Sequence, residues 1–328
     1  MKNIQADIKS GNFKQVYLLY GEEAYLKQQY KQNLVKALNP DADTMNFNHY
    51  EGKGIDVKQL IDLCETMPFF AERRVVLLED TGFFKNKCEE LADYMKELPD
   101  YLYLVFAETE VDKRNRMYKA VKACGSIAEF IRQDEKTLMR WAAGILGKAG
   151  KKITQRDMEL LLTKTGTDMG NLRMEMEKLI SYTEGRDVVT AEDIEEICTT
   201  QTTNRIFDMV RAVTEKNQKR ALELYYDLLT LKEPPMRILF LLAKQYRQLL
   251  LAKQFAAAGL AQTEIASKLG VPGFVVRNIT TCARAYTISE LEQAVKDFVD
   301  AEESVKTGRL EDKLSVELLI IKYSSKVK

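Results

Sequence analysis

Through the first 134 residues, short and nearly unbroken apolar runs alternate with longer stretches that are polar on one side. Val16–Tyr20 (VYLLY), residues 74–78 (RVVLL) and residues 101–106 (YLYLVF) are the clearest runs, and residues 45–50 and 125–130 are weaker ones. The stretches 23–38, 57–66, 87–98 and 114–122 carry helical periodicity between them. Strands that are apolar at every position must be covered on both faces, so this alternation predicts a parallel five-stranded sheet between helical layers.

Beyond residue 134 the strand signals stop. Three patterns then read as helix N-termini: Thr154-x-x-Asp157, Thr190-x-x-Asp193 and Ser289-x-x-Glu292. In each, a hydroxyl caps the first turn and an acidic side chain three residues on favours the positive end of the helix. Helices are expected over 136–149, 155–165, 168–183 and 191–198. The polar stretch 199–204 (TTQTTN) reads as a linker. From 205 onward the chain is helical again. Pro234-Pro235 opens a helix, and Ile238, Leu241, Leu242, Tyr246, Leu249 and Leu250 form one stripe along it. The expected organisation is an α/β domain over 1–134, a small helical domain over 135–203 and a helical domain over 204–328.

The turn after the first strand changes the picture. Gly21-Glu22-Glu23 leads from a strand into a helix, which is the layout of a phosphate-binding loop. Such a loop needs several glycines for backbone N–H groups to wrap phosphate, a Lys, and a Ser/Thr for Mg²⁺. Only Gly21 remains, and the two carboxylates that follow would repel a triphosphate by on the order of several kcal/mol in a partly desolvated site. RVVLLED ends in Glu79-Asp80, off the pattern of an ATPase Mg²⁺ strand. A degenerate nucleotide loop is therefore expected, with no catalytic residues and no cofactor.

Composition narrows the classes further. Lys+Arg and Asp+Glu both number 49, so no global basic field points to nucleic acid. A local basic cluster (Lys113, Arg114, Arg116, Lys119 and Lys122) is either a candidate contact to DNA backbone or a solvated helix face. The five cysteines are an odd number without a C-x-x-C pair, as expected of free thiols in a reducing cytosol. His49 is the sole histidine, and no metal site is expected. No stretch reads as a membrane span, so a soluble cytoplasmic protein without a membrane partner is expected. Residues 263–272 with 274–285 scan like a helix-turn-helix, but Val275, Val276, Ile279 and Cys282 in its second helix suit internal packing better than base reading.

After the helix at 57–66 come Met67, Pro68, Phe69 and Phe70. Four apolar residues in a turn cannot all face one core, so at least one should meet solvent or a partner. The alternative is that both phenylalanines close the sheet edge as ordinary core.

Six stretches in order, VYLLYGEEAYL, MPFFAERRVVLLED, LVFAETEVDKRNRMYKAV, GNLRMEMEKLISY, EIASKLGVPGFVVRN and KTGRLEDKLSVELLII, make the chain resemble the delta-subunit family of bacterial DNA polymerase III, a clamp-loader family of the AAA+ class. The resemblance covers nearly the whole chain. It implies an AAA+ clamp-loader architecture with a P-loop NTPase-like first domain, a lid at 135–203 and an oligomerising collar at 204–328. It also implies binding and opening of the sliding clamp (beta) for loading onto primed DNA without ATP hydrolysis by this chain. Met67, Pro68, Phe69 and Phe70 are the implied clamp contact. Further implied partners are the tau/gamma and delta-prime subunits through the collar, where Leu314, Leu318, Leu319 and Ile321 suit either core or interface. DNA would be met without sequence specificity, inside the complex. The chain would then be a non-catalytic part of a DNA-directed DNA polymerase holoenzyme. Arg173 lies where related ATPases place a phosphate-sensing arginine; without nucleotide its expected partner is Glu175 or Glu177. The competing readings are a divergent AAA+ ATPase and a helix-turn-helix DNA-binding regulator.

Overall fold

A computed structural model describes residues 2–199, 202–271 and 273–325. The chain divides into two compact units, Met1–Gln133 and Asp134–Lys328.

The first unit runs α1 (Lys2–Ser10), β1 (Val16–Tyr20), α2 (Ala24–Leu38), β2 (Phe47–Glu51), α3 (Val57–Glu65), β3 (Arg74–Glu79), α4 (Glu89–Tyr94), β4 (Leu102–Glu108), α5 (Arg116–Cys124) and β5 (Ser126–Glu129). The strands form one parallel sheet in the order β2-β3-β4-β1-β5. Alternate residues of each strand supply opposite cores. Val16, Leu18, Val76, Leu78, Leu104 and Phe106 pack with Leu60, Leu91, Met117 and Val121 of α3, α4 and α5. Tyr17, Leu19, Val75, Leu77 and Val105 pack with Ile4 of α1 and Leu34 and Leu38 of α2. This two-sided burial is why the central strands carry no charged side chain between their ends. Cys64 lies inside the first of these cores, where burial pushes its thiol up to about 12.

Four boundaries depart from expectation. The helix α1 carries only Ile4 and Ile8 as apolar anchors and gave no sequence signal. The strands β2, β3 and β4 end one or two residues later than expected, because Glu51, Glu79 and Glu108 still pair in the sheet. The expected helix 87–98 is only six residues long as α4. The expected helix start at 114 moves to Arg116, because the Asn115 side chain accepts the Met117 N–H and caps the helix there.

The second unit continues with α6 (Glu135–Lys148), β6 (Lys152–Ile153), α7 (Gln155–Thr165), α8 (Met169–Tyr182), β7 (Val188–Val189), α9 (Ala191–Ile197), α10 (Thr202–Thr214), α11 (Gln218–Thr230), α12 (Pro235–Ala257), α13 (Gln262–Leu269), α14 (Gly273–Ala283), α15 (Ile288–Lys306) and α16 (Asp312–Ser324). Strand signals do not stop at 134: β6 and β7 form a two-residue parallel bridge. Lys151 braces it, its ammonium donating to the carbonyls of Thr183 and Arg186. Thr154 and Thr190 cap their helices as expected. Ser289 does not. Thr287 is the cap, reciprocated by Glu290. The frame is set by Tyr286 and Leu291, buried in one core on either side of the cap like a hydrophobic staple. Of the expected linker, Thr200 and Gln201 lie outside the described residues, while Thr202–Asn204 already belong to α10. The expected border at 203/204 falls inside this unit, where α7 packs against α10 and α14.

Candidate functional site

The parallel sheet has two edges of opposite character. Strand C-termini meet at one, next to Gly21; the turn before β3 lies at the other.

At the first edge the nucleotide-type loop is closed from within. The Phe130 N–H donates to the Tyr20 carbonyl at 2.7 Å, and the Glu23 N–H donates back to the Phe130 carbonyl at 3.0 Å. That carbonyl crosses Gly21 so closely that a Cβ there would lie 2.3 Å from it, and Gly21 also holds φ at 124°. The retained glycine thus admits the chain's own backbone. The Glu23 N–H at the entrance to α2 is thereby committed to a carbonyl. Glu22 does not line this space as expected; it turns outward, 3.5 Å from Arg132 Nε, while Glu23 is buried.

The carboxylates that do line this edge come from strand ends. The strands β2, β3, β4 and β5 end in Glu51, Glu79, Glu108 and Glu129. Lys31 of α2 binds Glu79 at 2.6 and 2.8 Å, and His49 Nε2 lies 2.9 Å from the same carboxylate. Lys27, one turn earlier, donates to the Glu108 carbonyl at 2.9 Å. Burial lowers the Lys27 pKa against the pull of Asp80, Glu108 and Glu79. Glu108 is buried and accepts from the Thr81 hydroxyl and N–H at 2.5 and 3.1 Å. Burial raises its pKa even so, with those bonds pulling the other way. Sequence reasoning missed Lys27, Lys31 and Glu108. The signal was present: four strands close on glutamate and two lysines stand four residues apart on α2.

The basic cluster is largely spoken for. Lys113 pairs with Glu129 at 2.8 Å, Arg114 with Asp112 at 3.0 Å and Arg116 with Asp93 at 2.7 Å, while Lys119 is exposed. Lys113 also bounds a shallow cleft of about 550 Å³ with Tyr20, Lys85 and Glu129. Lys85 in turn pairs with Glu110. Arg173 binds Glu177 at 2.7 Å. In the helix-turn-helix-like segment, Val276, Ile279 and Cys282 are buried and Arg277 faces Glu159, so α14 spends one face on the core; Pro272 lies outside the described residues. Among the described residues no group of His, Cys, Asp and Glu could hold a metal, and no helix is long and apolar enough to cross a membrane.

At the other edge the apolar turn stands open. Met67 is 76% exposed, Phe69 56% and Phe70 95%, while Pro68 is half-buried. The two rings meet edge-to-face at 4.5 Å. Met45, which sequence reasoning missed, is 65% exposed one residue from the chain that supports this turn. The phenylalanines are therefore not sheet-edge core. Phe70 forgoes about 1.5–3 kcal/mol that burial would bring, and Phe69 roughly half as much. Phe70 also holds a positive φ of 50°, a conformation costing a bulky residue about 1–2 kcal/mol.

The backbone beneath is fixed. Asn46 is buried; its Oδ1 accepts the Phe69 N–H at 2.6 Å and its Nδ2 donates to the Phe69 carbonyl at 2.8 Å. Arg74, also buried, donates to the carbonyls of Thr66 at 2.8 Å and Met67 at 3.3 Å and to Asn48 Oδ1 at 3.2 Å. Two side chains rooted in the sheet thus hold the turn that presents the aromatic pair.

Comparison with known proteins agrees with this layout. A model described as "DNA polymerase III, delta subunit" matches residues 17–130, and one described as "DNA polymerase III delta subunit, C-terminal domain" matches residues 203–323. The DNA polymerase III subunit delta of Bacillus subtilis is 26% identical over 332 residues, covering 97% of this chain and 95% of that protein. The probable DNA polymerase III subunit delta of Aquifex aeolicus is 22% identical, covering 78% of this chain and 75% of that protein. The solved structure of the Bacillus subtilis DNA clamp loader delta protein superposes with a TM-score of 0.68 at 24% identity, covering 99% of both chains, and shares the fold.

Proposed function

This chain belongs to the DNA polymerase III delta subunit family, and on that premise we propose that it is the clamp-loader subunit that grips the sliding clamp and helps to open it. The observation that carries the reading is the turn at Met67–Phe70: three exposed apolar side chains on a backbone fixed from below. Aromatic side chains in this state are the usual anchors of a protein contact, because a partner's pocket recovers the burial energy they forgo. A subunit that binds a distorted clamp surface more tightly than the closed-ring surface shifts the ring towards opening by that difference in affinity.

The chain does this without nucleotide chemistry of its own. The Phe130 carbonyl over Gly21 and the lysines committed to Glu79 and Glu108 support this reading over a divergent ATPase. Energy for release then comes from ATP held by neighbouring subunits. The chain alone is expected to show no ATP binding by calorimetry; a micromolar dissociation constant would reverse this part.

Assembly with the sister subunits runs through the collar at 204–328, with 135–203 as the lid. The start of the matched C-terminal model at residue 203 favours that division. In α16, Val316, Leu319 and Ile320 are buried, whereas Leu314, Leu318 and Ile321 recur at helical spacing on an exposed stripe. DNA contact is sequence-independent and belongs to the assembled complex. Lys113, Arg114 and Arg116 would have to exchange a carboxylate for a phosphate.

The deciding experiment is a binding measurement between the full chain and the sliding clamp of its own organism, repeated with Phe69→Ala and Phe70→Ala. Loss of binding with an unchanged melting temperature supports the proposal. Unchanged binding ends it.

A further inference from the structure

We infer that Asn46 is a positioning residue for the clamp contact: its buried amide holds Phe69 by both backbone groups and so sets the aromatic pair in its binding posture before any partner arrives. The inference rests on the proposed clamp contact at Phe69 and Phe70 and deepens it.

Asn46 occupies the residue just before β2, while Phe69 lies 23 positions further on in a turn without regular structure. An exposed turn would normally give its N–H and C=O to water. Here one side chain accepts the N–H at 2.6 Å and donates to the carbonyl at 2.8 Å, as a neighbouring strand would. The same Nδ2 also donates to Asp43 Oδ2 at 2.5 Å, and the Met45 N–H donates to Asp43 Oδ1 at 2.8 Å. The amide is therefore locked in one orientation: only Nδ2 can serve both the carboxylate and the Phe69 carbonyl. Those bonds also hold the Asp43 carboxyl below the usual aspartate range. The register that follows puts Phe70 at its positive φ with the ring almost wholly in water, a state the turn has no local reason to prefer. A contact side chain already held in place loses less freedom on binding, which strengthens binding without adding any contact to the partner. Asn46 itself is 3% exposed and has no surface to offer a clamp.

Three measurements on the full chain test this. Asn46→Ala is expected to weaken clamp binding about tenfold, the scale of one or two net hydrogen bonds. In a Phe70→Ala background the same substitution is expected to weaken binding by no more than about threefold, because one of the two side chains through which it acts is gone. Amide exchange should show the Phe69 N–H protected in the parent chain and exchanging freely in Asn46→Ala, with the amides of β2 and β3 unchanged. Asn46→Leu, which fills the same space without donor or acceptor, serves if the alanine variant does not fold, and is expected to weaken binding in the same background-dependent way. Equal losses in both backgrounds, or full clamp affinity despite a freely exchanging Phe69, overturn the inference. Should Phe70→Ala abolish binding while Asn46→Ala leaves it intact, only the positioning role fails. Should Phe70→Ala leave binding intact, the clamp-contact reading fails first.

Discussion

The two edges of the sheet solve the same local problem in opposite ways. At the Gly21 edge the inward polar groups have internal partners: Lys31 has Glu79, Glu108 has Thr81, and the Glu23 N–H has the Phe130 carbonyl. At the Phe70 edge the backbone is equally well satisfied, by Asn46 and Arg74, yet the side chains are left in water. Satisfied polar groups alone therefore do not distinguish the two. The difference lies in what remains outside once the backbone has been fixed: a self-neutralised polar surface at one edge, and a rigid apolar one at the other.

The sharpest way to break this contrast is at the open edge. Phe70→Ala is expected to cost about 2–4 kcal/mol of clamp affinity, as for a buried aromatic anchor, with little change in thermal stability. A large fall in melting temperature with clamp binding retained would make Phe70 a structural residue and erase the difference between the edges. At the closed edge the expectation is inverted. Gly21→Ala must displace the Phe130 backbone and should cost about 2–3 kcal/mol of folding stability, read by denaturant unfolding. If it is tolerated without loss, the closure over the loop is not what holds it.

Glu108 sharpens the contrast by a smaller amount. Its carboxyl pKa is raised in the folded chain, so its favourable contribution is full below the ordinary value of 4.5 and is lost as pH rises through the raised one. Glu108→Gln should therefore be more stable than the parent at pH 8, with the gap closing as pH falls towards 4, as followed by thermal melts. A gap independent of pH would show that the closed edge does not hold a strained carboxylate. Clamp affinity should be unaffected, since Glu108 lies at the other end of the strands.

Much of this was legible in the chain before folding. Runs such as VYLLY and RVVLL announce strands covered on both faces, and the turn from β1 into α2 shows its single glycine and two carboxylates by composition alone. Met67–Phe70 stood out because four apolar residues in one turn cannot share a core. Other features gave weak signals for identifiable reasons. The helix α1 has two apolar anchors in nine residues, and the β6–β7 bridge is two residues long, so neither builds a period. The helix cap at Thr287 competes with an equally good pattern at Ser289, and only the burial of Tyr286 and Leu291 chooses between them.

The sequence by itself determined the layer order, the single glycine between β1 and α2 and the surplus of apolar side chains before β3, because periodicity and composition are local properties. Tertiary structure alone decided that Phe70 faces water, that Asn46 grips Phe69 across 23 residues, and that Gly21 admits the Phe130 carbonyl. Each of these depends on two distant segments meeting at a fixed register, and the free energy of such a meeting is not a property of either segment alone.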